Sequence, residues 1–174
     1  MRYLIEQNVA ALRQTRLLLS SITAEQYVRP VESCFGSTLG GHVRHLLDHY
    51  SSYFKSGSEG WIDYETRERD QRLETDPLFA IAVTDETMRL LGVHAEDEGG
   101  HHLAVRVEHL NEGDPGFVAP SSYRRELLFL LSHTVHHCAL ISVCCHSMGI
   151  RTPSGFGVAP STLRHRETQQ AARA

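Results

Sequence analysis

The stretch Ser121-Ser-Tyr-Arg-Arg-Glu-Leu-Leu-Phe-Leu-Leu131-Ser-His133-Thr-Val-His136-His137-Cys138 decides how this chain folds. Its two serines offer an N-cap, and apolar residues then recur at helical spacing until Gly149 ends the pattern. The spacing predicts the longest helix of the protein over about Tyr123 to Met148. At about 100° per residue, His133 and His137 lie roughly 40° apart on one face of it.

Upstream, Thr38-Leu-Gly-Gly-His42-Val-Arg-His45-Leu-Leu-Asp48-His49 reads as a second helix of the same kind, over about Leu39 to Phe54, capped by Ser37-Thr38. Gly40 and Gly41 lower its helix propensity but permit close approach of another backbone. A first amphipathic helix is expected over Tyr3 to Ile22, where Leu4, Val9, Leu12, Leu17 and Leu18 approximate one stripe. Ser21 and Thr23 mark its fraying end, and Pro30 prevents a long continuation. A third begins at Thr75-Asp76-Pro77, with Thr75 as its cap, and runs to about Leu91 before Gly92.

Between the third and fourth helices, Leu103-Ala-Val-Arg-Val-Glu-His109 alternates apolar and polar residues, the mark of a short strand. A turn at Gly113-Asp-Pro-Gly116 would return it as a hairpin completed near Phe117-Val118. The segment 56–60 reads as a loop, Trp61 to Asp70 as a partly ordered connection, and Arg151 to Pro160 as Gly/Pro-rich loop. The expected fold is therefore mainly all-α: an up-down four-helix bundle with a small β-hairpin before the last long helix. Residues 1–160 would form one domain and 161–174 a frayed tail.

The 174 residues suffice to bury a core without disulfide staples. A net charge of -4, a single lysine (Lys55) and scattered arginines leave no footprint for nucleic acid. With charges in the first turns and no apolar run there, no signal peptide is expected in Met1 to Asn8, and no uninterrupted apolar run approaches the roughly 18 residues of a membrane span. The four cysteines, Cys34, Cys138, Cys144 and Cys145, have neither a disulfide framework nor CxxC spacing. They read as small buried thiols of a cytoplasmic protein.

Twelve histidines are the unusual count. His45 and His49 share one helical face, and His133 and His137 share another; residues four apart stand about 6 Å from each other along the axis. Imidazoles from two facing helices can thus converge on one divalent transition metal. The competing reading is a metal-free polar core in which the same imidazoles bond to one another and to Asp48 or Ser132. His42 and His136 lie on the flanks of these faces, as supporting or surface groups. His101, His102, His109, His146 and His165 fall in loop, strand or helix-end contexts. Glu126 lies on the His133 face, two turns earlier, where it can orient a substrate. Tyr64, Arg67 and Arg69 can present a phenol and two guanidinium forks to an anionic ligand, or belong to a self-pairing charged linker. Ser154 to Pro160 is apolar and flexible enough to fold over a pocket mouth, or to act as a plain C-terminal strap.

Thr38-Leu-Gly-Gly-His-Val-Arg-His45 with Leu46-Leu-Asp48, and Leu131-Ser-His133-Thr-Val-His-His137, resemble the second- and fourth-helix motifs of the DinB-like (DinB/YfiT) superfamily. The resemblance covers roughly residues 1 to 150. It implies a four-helix bundle with a three-histidine site for zinc, nickel or iron, in which His45 matches the second-helix ligand and His133 and His137 the later pair. It also implies relatives that are thiol-dependent S-transferases or isomerases using low-molecular-weight thiols, and frequent homodimers. His49 has no counterpart in the usual pattern. As a fourth ligand it would close a coordination position and count against catalysis. Cys138 stands where the family often has glycine.

The expected function is a metal-dependent enzyme of transferase or hydrolase type acting on a small molecule, with Asp48 fixing an imidazole tautomer. The alternative is a non-catalytic module that binds metal or a small ligand, its coordination completed by His49.

Overall fold

The computed structural model describes residues 1–55, 60–93, 102–107 and 116–172. It is mainly helical, with a small three-stranded sheet before the longest helix. In chain order the elements are α1 (Arg2–Leu19), α2 (Ala24–Val28), a 3₁₀ turn (Glu32–Cys34), α3 (Leu39–Lys55), β1 (Trp61–Asp63), α4 (Gln71–Thr75), α5 (Pro77–Val93), β2 (His102–Val107), β3 (Phe117–Ser122), α6 (Tyr123–Ser147) and α7 (Pro160–Ala171). The four expected long helices are α1, α3, α5 and α6. Segment 56–59, His101, His109 and the turn at 113–115 lie outside the described residues.

Packing follows the apolar stripes except at Leu17 of α1, expected on the stripe but exposed. α1 lies against α5 and α6, and α3 against α4, α5 and α6. The core takes Ile5, Leu12 and Leu18 from α1, Val43, Leu46 and Tyr50 from α3, Leu91 from α5, and Leu127, Leu130 and Ile141 from α6. α6 contains an 18-residue window of mean hydropathy 1.6, apolar and long enough for a membrane span by length and composition. Here that composition serves the bundle, because α6 packs against both α1 and α3.

Several local expectations need correction. The first helix stops at Leu19, and Thr23 is not its frayed end but the N-cap of α2, accepting from the Gln26 amide at 3.2 Å while Gln26 Oε1 accepts from the Thr23 amide. This reciprocal pair satisfies two orphan donors, which favours a new helix over continuation. Thr75 belongs to α4. The cap of α5 is Asp76, whose Oδ1 accepts from Leu78 N at 2.9 Å and Phe79 N at 3.1 Å.

The connection after residue 60 is more ordered than its mixed charge suggested. Trp61, Ile62 and Asp63 pair in parallel with Ala104, Val105 and Arg106, while β2 and β3 form the expected antiparallel hairpin. Ile62 is wholly buried, and burying that one apolar residue anchors the strand. The C-terminal segment, expected to be frayed, is helical in α7, which starts with proline at its first position and buries no residue. The preceding loop lies on α6: Phe156 is buried, and a Cβ on Gly157 would stand 2.6 Å from Ala139 N. It acts as a strap against α1 and α6, with Gly157 and Val158 lining a groove there beside Gln7, Ala11 and Val135.

Candidate metal centre

A buried polar network sets the axial register between the two histidine-bearing helices. Asn8, wholly buried on α1, donates to the Leu127 carbonyl at 3.0 Å and accepts from the Tyr50 hydroxyl at 2.7 Å. Tyr50 has then spent its only proton, so the Thr134 hydroxyl, 3.0 Å away, donates to it. Tyr50 follows His49 and Thr134 follows His133, so this bond holds the two histidines level. This histidine-free polar core stands beside the imidazole cluster, and the foreseen bonding of imidazoles to one another is also present, between His45 Nε2 and His133 Nε2 and between His42 Nδ1 and His137 Nδ1, each at 3.2 Å.

Five imidazoles meet at the interface of α3 and α6. One nitrogen from each of His45, His49 and His133 lies within 4.8 Å of the other two. His133 Nε2 is 3.2 Å from His45 Nε2, and the rings of His49 and His133 have centroids 4.0 Å apart. His137 belongs to the same cluster, its centroid 4.5 Å from that of His133 and 4.6 Å from that of His45. Its Nδ1, however, lies 3.2 Å from His42 Nδ1. The sequence placed His42 on the flank of the site, whereas the structure makes it the direct neighbour of an expected ligand. The three-residue step from His42 to His45 was the available signal. His136 is exposed, its ring centroid 5.2 Å from that of His137.

These donors fit a metal. Two nitrogens 3.2 Å apart can each stand about 2.0–2.1 Å from one ion, at roughly 100° to each other. Ligating imidazoles must be neutral, and the site keeps them so. Burial first, then the neighbouring histidines, takes His133 and His137 down to about 3. Burial, then His49 and Arg67, takes His45 down to about 4. Burial also lowers His49 and His42. The His49 tautomer is set by its own helix, since Nδ1 lies 2.8 Å from the His45 carbonyl oxygen, which can only accept. The proton is therefore on Nδ1 and the lone pair on Nε2. Asp48 was expected to do this; instead its carboxylate lines a separate cavity with Arg67.

The strap after β1 covers one side of the cluster. The Tyr64 ring stacks on His49, with centroids 5.3 Å apart and planes at 22°, and its hydroxyl donates to Glu126 Oε2 at 2.8 Å. Burial, reinforced by Glu126, raises the Tyr64 pKa so that the phenol keeps its proton. Glu126, wholly buried, also accepts from Ser121 and from Arg125 Nη1, and so holds Tyr64 rather than facing a substrate. Arg67 Nη1 lies 3.5 Å from His49 Nε2 and donates to the Tyr64 carbonyl. Arg69 is exposed, in a left-handed conformation with φ 52°, and does not line the cavity that Arg67 borders.

A cavity of about 360 Å³ opens on His42, His45 and His137, bordered by Ser37, Thr38 and Glu74. Cys138 faces away from the cavity's chemistry. Its Sγ lies 3.4 Å from Thr15 Oγ1 on α1, and burial pushes the thiol up to about 11.

A family model described as "DinB family" matches residues 2–162. The chain is also 47% identical over 49 residues to FK506-binding protein 5 of Rhizopus delemar, a stretch covering 28% of this chain and 13% of that relative.

Proposed function

The chain belongs to the DinB family, and on that premise we propose that it is a metal-dependent enzyme of transferase or hydrolase type acting on a small molecule. One observation carries the reading: His45, His49 and His133 each bring a nitrogen within 4.8 Å of the others, and a cavity of about 360 Å³ reaches the same cluster. His45, His49 and His133 would hold the ion, with His137 as the further ligand that the resemblance implies. When bound, divalent zinc, nickel or iron would act as a Lewis acid and lower the pKa of a nucleophile. The rest falls to the chain's own groups. Tyr64 closes one face of His49 with its proton retained, while Arg67 and, further along the strap, Arg69 offer guanidinium groups to an anionic substrate. Ser37 and Thr38 at the cavity mouth suit a polar, low-molecular-weight thiol. A reducing cytoplasm and a homodimer belong to the same proposal, the latter because Leu128 and Val143 are exposed on α6.

The presence of His49 in the nitrogen group favours a second reading, a non-catalytic metal- or ligand-binding module in which four imidazoles fill the coordination sphere. Elemental analysis of protein purified without a histidine tag tests both. About one ion per chain is expected in the native protein, and none in His133→Ala. Absence of stoichiometric metal after reconstitution with zinc, nickel and iron would overturn both readings. The visible spectrum of a cobalt form then separates them: four protein nitrogens with no exchangeable position support the module, and an open position supports the enzyme.

A further inference from the structure

His49 has one lone pair and two claimants for it. Its Nδ1 proton is committed to the His45 carbonyl at 2.8 Å, so only Nε2 can accept or ligate. His49 contributes to the three-nitrogen group, yet Arg67 Nη1 points a donor at the same Nε2 from 3.5 Å. An imidazole lone pair lies in the ring plane and serves one partner at a time. Arg67 and a cation on His49 are therefore mutually exclusive.

Arg67 is only partly satisfied where it stands, Nη1 donating also to the Tyr64 carbonyl. Its bond to His49 is at the long limit, and its Nε is buried without a partner among the described residues. An alternative place adjoins it. Arg67 borders a cavity of about 300 Å³ that Asp48, Asp63 and Glu68 also line. Asp63 already accepts from the Glu65 and Thr66 amides, and Glu68 pairs with Lys55 at 2.5 Å. Asp48, 5% exposed, has no ion pair among the described residues. A guanidinium leaving His49 would find in Asp48, one residue earlier on the same helix, a buried carboxylate with no close ion pair that already attracts Arg67 across the cavity.

We propose that Arg67 is a built-in competitor for the metal: it occupies the His49 lone pair in the metal-free protein and moves to the Asp48 cavity when an ion binds. The inference rests on the metal-centre reading above. Its consequence is that metal occupancy is coupled to the strap of residues 63–70, which carries both Arg67 and Tyr64. Coupling of this kind is reciprocal: whatever holds Arg67 in the cavity, such as an anionic ligand drawing it away from His49, tightens the metal.

The test is a double-mutant cycle on the full chain, read as cobalt affinity by visible absorption, with amide exchange of residues 63–70 followed alongside. Arg67→Met should raise cobalt affinity about tenfold in the native background and by less than about twofold in His49→Asn. Cobalt should alter exchange across 63–70 in the native protein and leave it unchanged in Arg67→Met. Equal gains in the two backgrounds would reduce Arg67 to a nearby positive charge and overturn the proposal. So would unchanged exchange in the native protein, as expected if His45, His133 and His137 alone hold the ion. If neither the native protein nor Arg67→Met binds cobalt, the metal-centre reading itself fails and takes this inference with it.

Discussion

Replacing Gly40 by alanine should unfold this bundle more readily, although helix propensity alone predicts the reverse. In an exposed helix interior, Gly→Ala gains about 0.8–1.0 kcal/mol. Here a Cβ on Gly40 would lie 2.0 Å from the Glu74 carbonyl oxygen, 2.8 Å from its carbon and 3.0 Å from the Tyr27 ring. The obstacle is the backbone of α4, which cannot rotate aside like a side chain. Restoring ordinary contact at about 3.2–3.4 Å moves α4 away from α3 by more than about 1 Å, an overpacking that typically costs 1–3 kcal/mol. The same shift strains the buried bond from the Tyr27 hydroxyl to the Leu73 carbonyl, 2.5 Å long, and the Arg44–Glu74 ion pair, 3.0 Å long, at the rim of the histidine cavity. With about 1 kcal/mol more for the bond, the net destabilisation is about 2 kcal/mol after the propensity gain. For a chain of this size that is a fall in Tm of roughly 4–8 °C.

The neighbouring glycine supplies the control. At Gly41 a Cβ meets side-chain atoms rather than backbone, Thr38 Oγ1 at 3.3 Å, which accepts from the Gly41 amide at 2.8 Å, and Glu74 Oε1 at 3.7 Å. Gly41→Ala should therefore stay within about 0.5 kcal/mol of the native protein or exceed it. Urea denaturation with a shared m-value reads both variants. If Gly40→Ala is as stable as the native protein, or more stable than Gly41→Ala, the close approach of α3 and α4 does not restrict residue 40 to glycine.

Three further outcomes follow from the same geometry. Glu126→Gln should cost about 2–3 kcal/mol, because one of the donors from Tyr64, Ser121 and Arg125 would face an amide N–H; thermal unfolding measures it, and an unchanged Tm would remove Glu126 from the account. In metal-free protein, His45, His133 and His137 refuse protons in the folded state that they accept, near 6.5, when unfolded. Their contribution to stability is therefore flat above about pH 6.5 and increasingly unfavourable as the pH falls towards about 4, so the urea midpoint should drop between pH 7.5 and 5; a level profile would contradict the burial of these rings. Burial pushes the Cys138 and Cys145 thiols up to about 11 and Cys144 up to about 12. Iodoacetamide at pH 8 should modify these three only after denaturation, and their rapid labelling in native protein, read by mass spectrometry, would show that α6 opens.

Much of this arrangement was legible along the chain because its signals are local. Helical periodicity found α1, α3, α5 and α6; alternation found the β2–β3 hairpin; and four-residue spacing put His45 beside His49 and His133 beside His137. What failed locally was the choice between adjacent capping groups, as with Asp76 over Thr75, where two short polar side chains carry nearly the same preference. The remainder belongs to tertiary structure. Parallel pairing of Trp61–Asp63 with β2 joins residues more than forty positions apart, and one buried isoleucine in a charged segment gives no periodic mark of it.

The decisive case is the metal centre itself. The sequence by itself determined which residues carry imidazoles and which face of each helix bears them. Tertiary structure decided which rings share a point, through the Tyr50–Thr134 bond that levels α3 with α6. It also set His42, which the sequence placed only on the flank, against His137, and Arg67, which no helical face placed, against His49. Spacing within a helix is fixed by backbone geometry, whereas the rotation and axial slide of one helix on another come from side-chain packing, which only the folded chain defines.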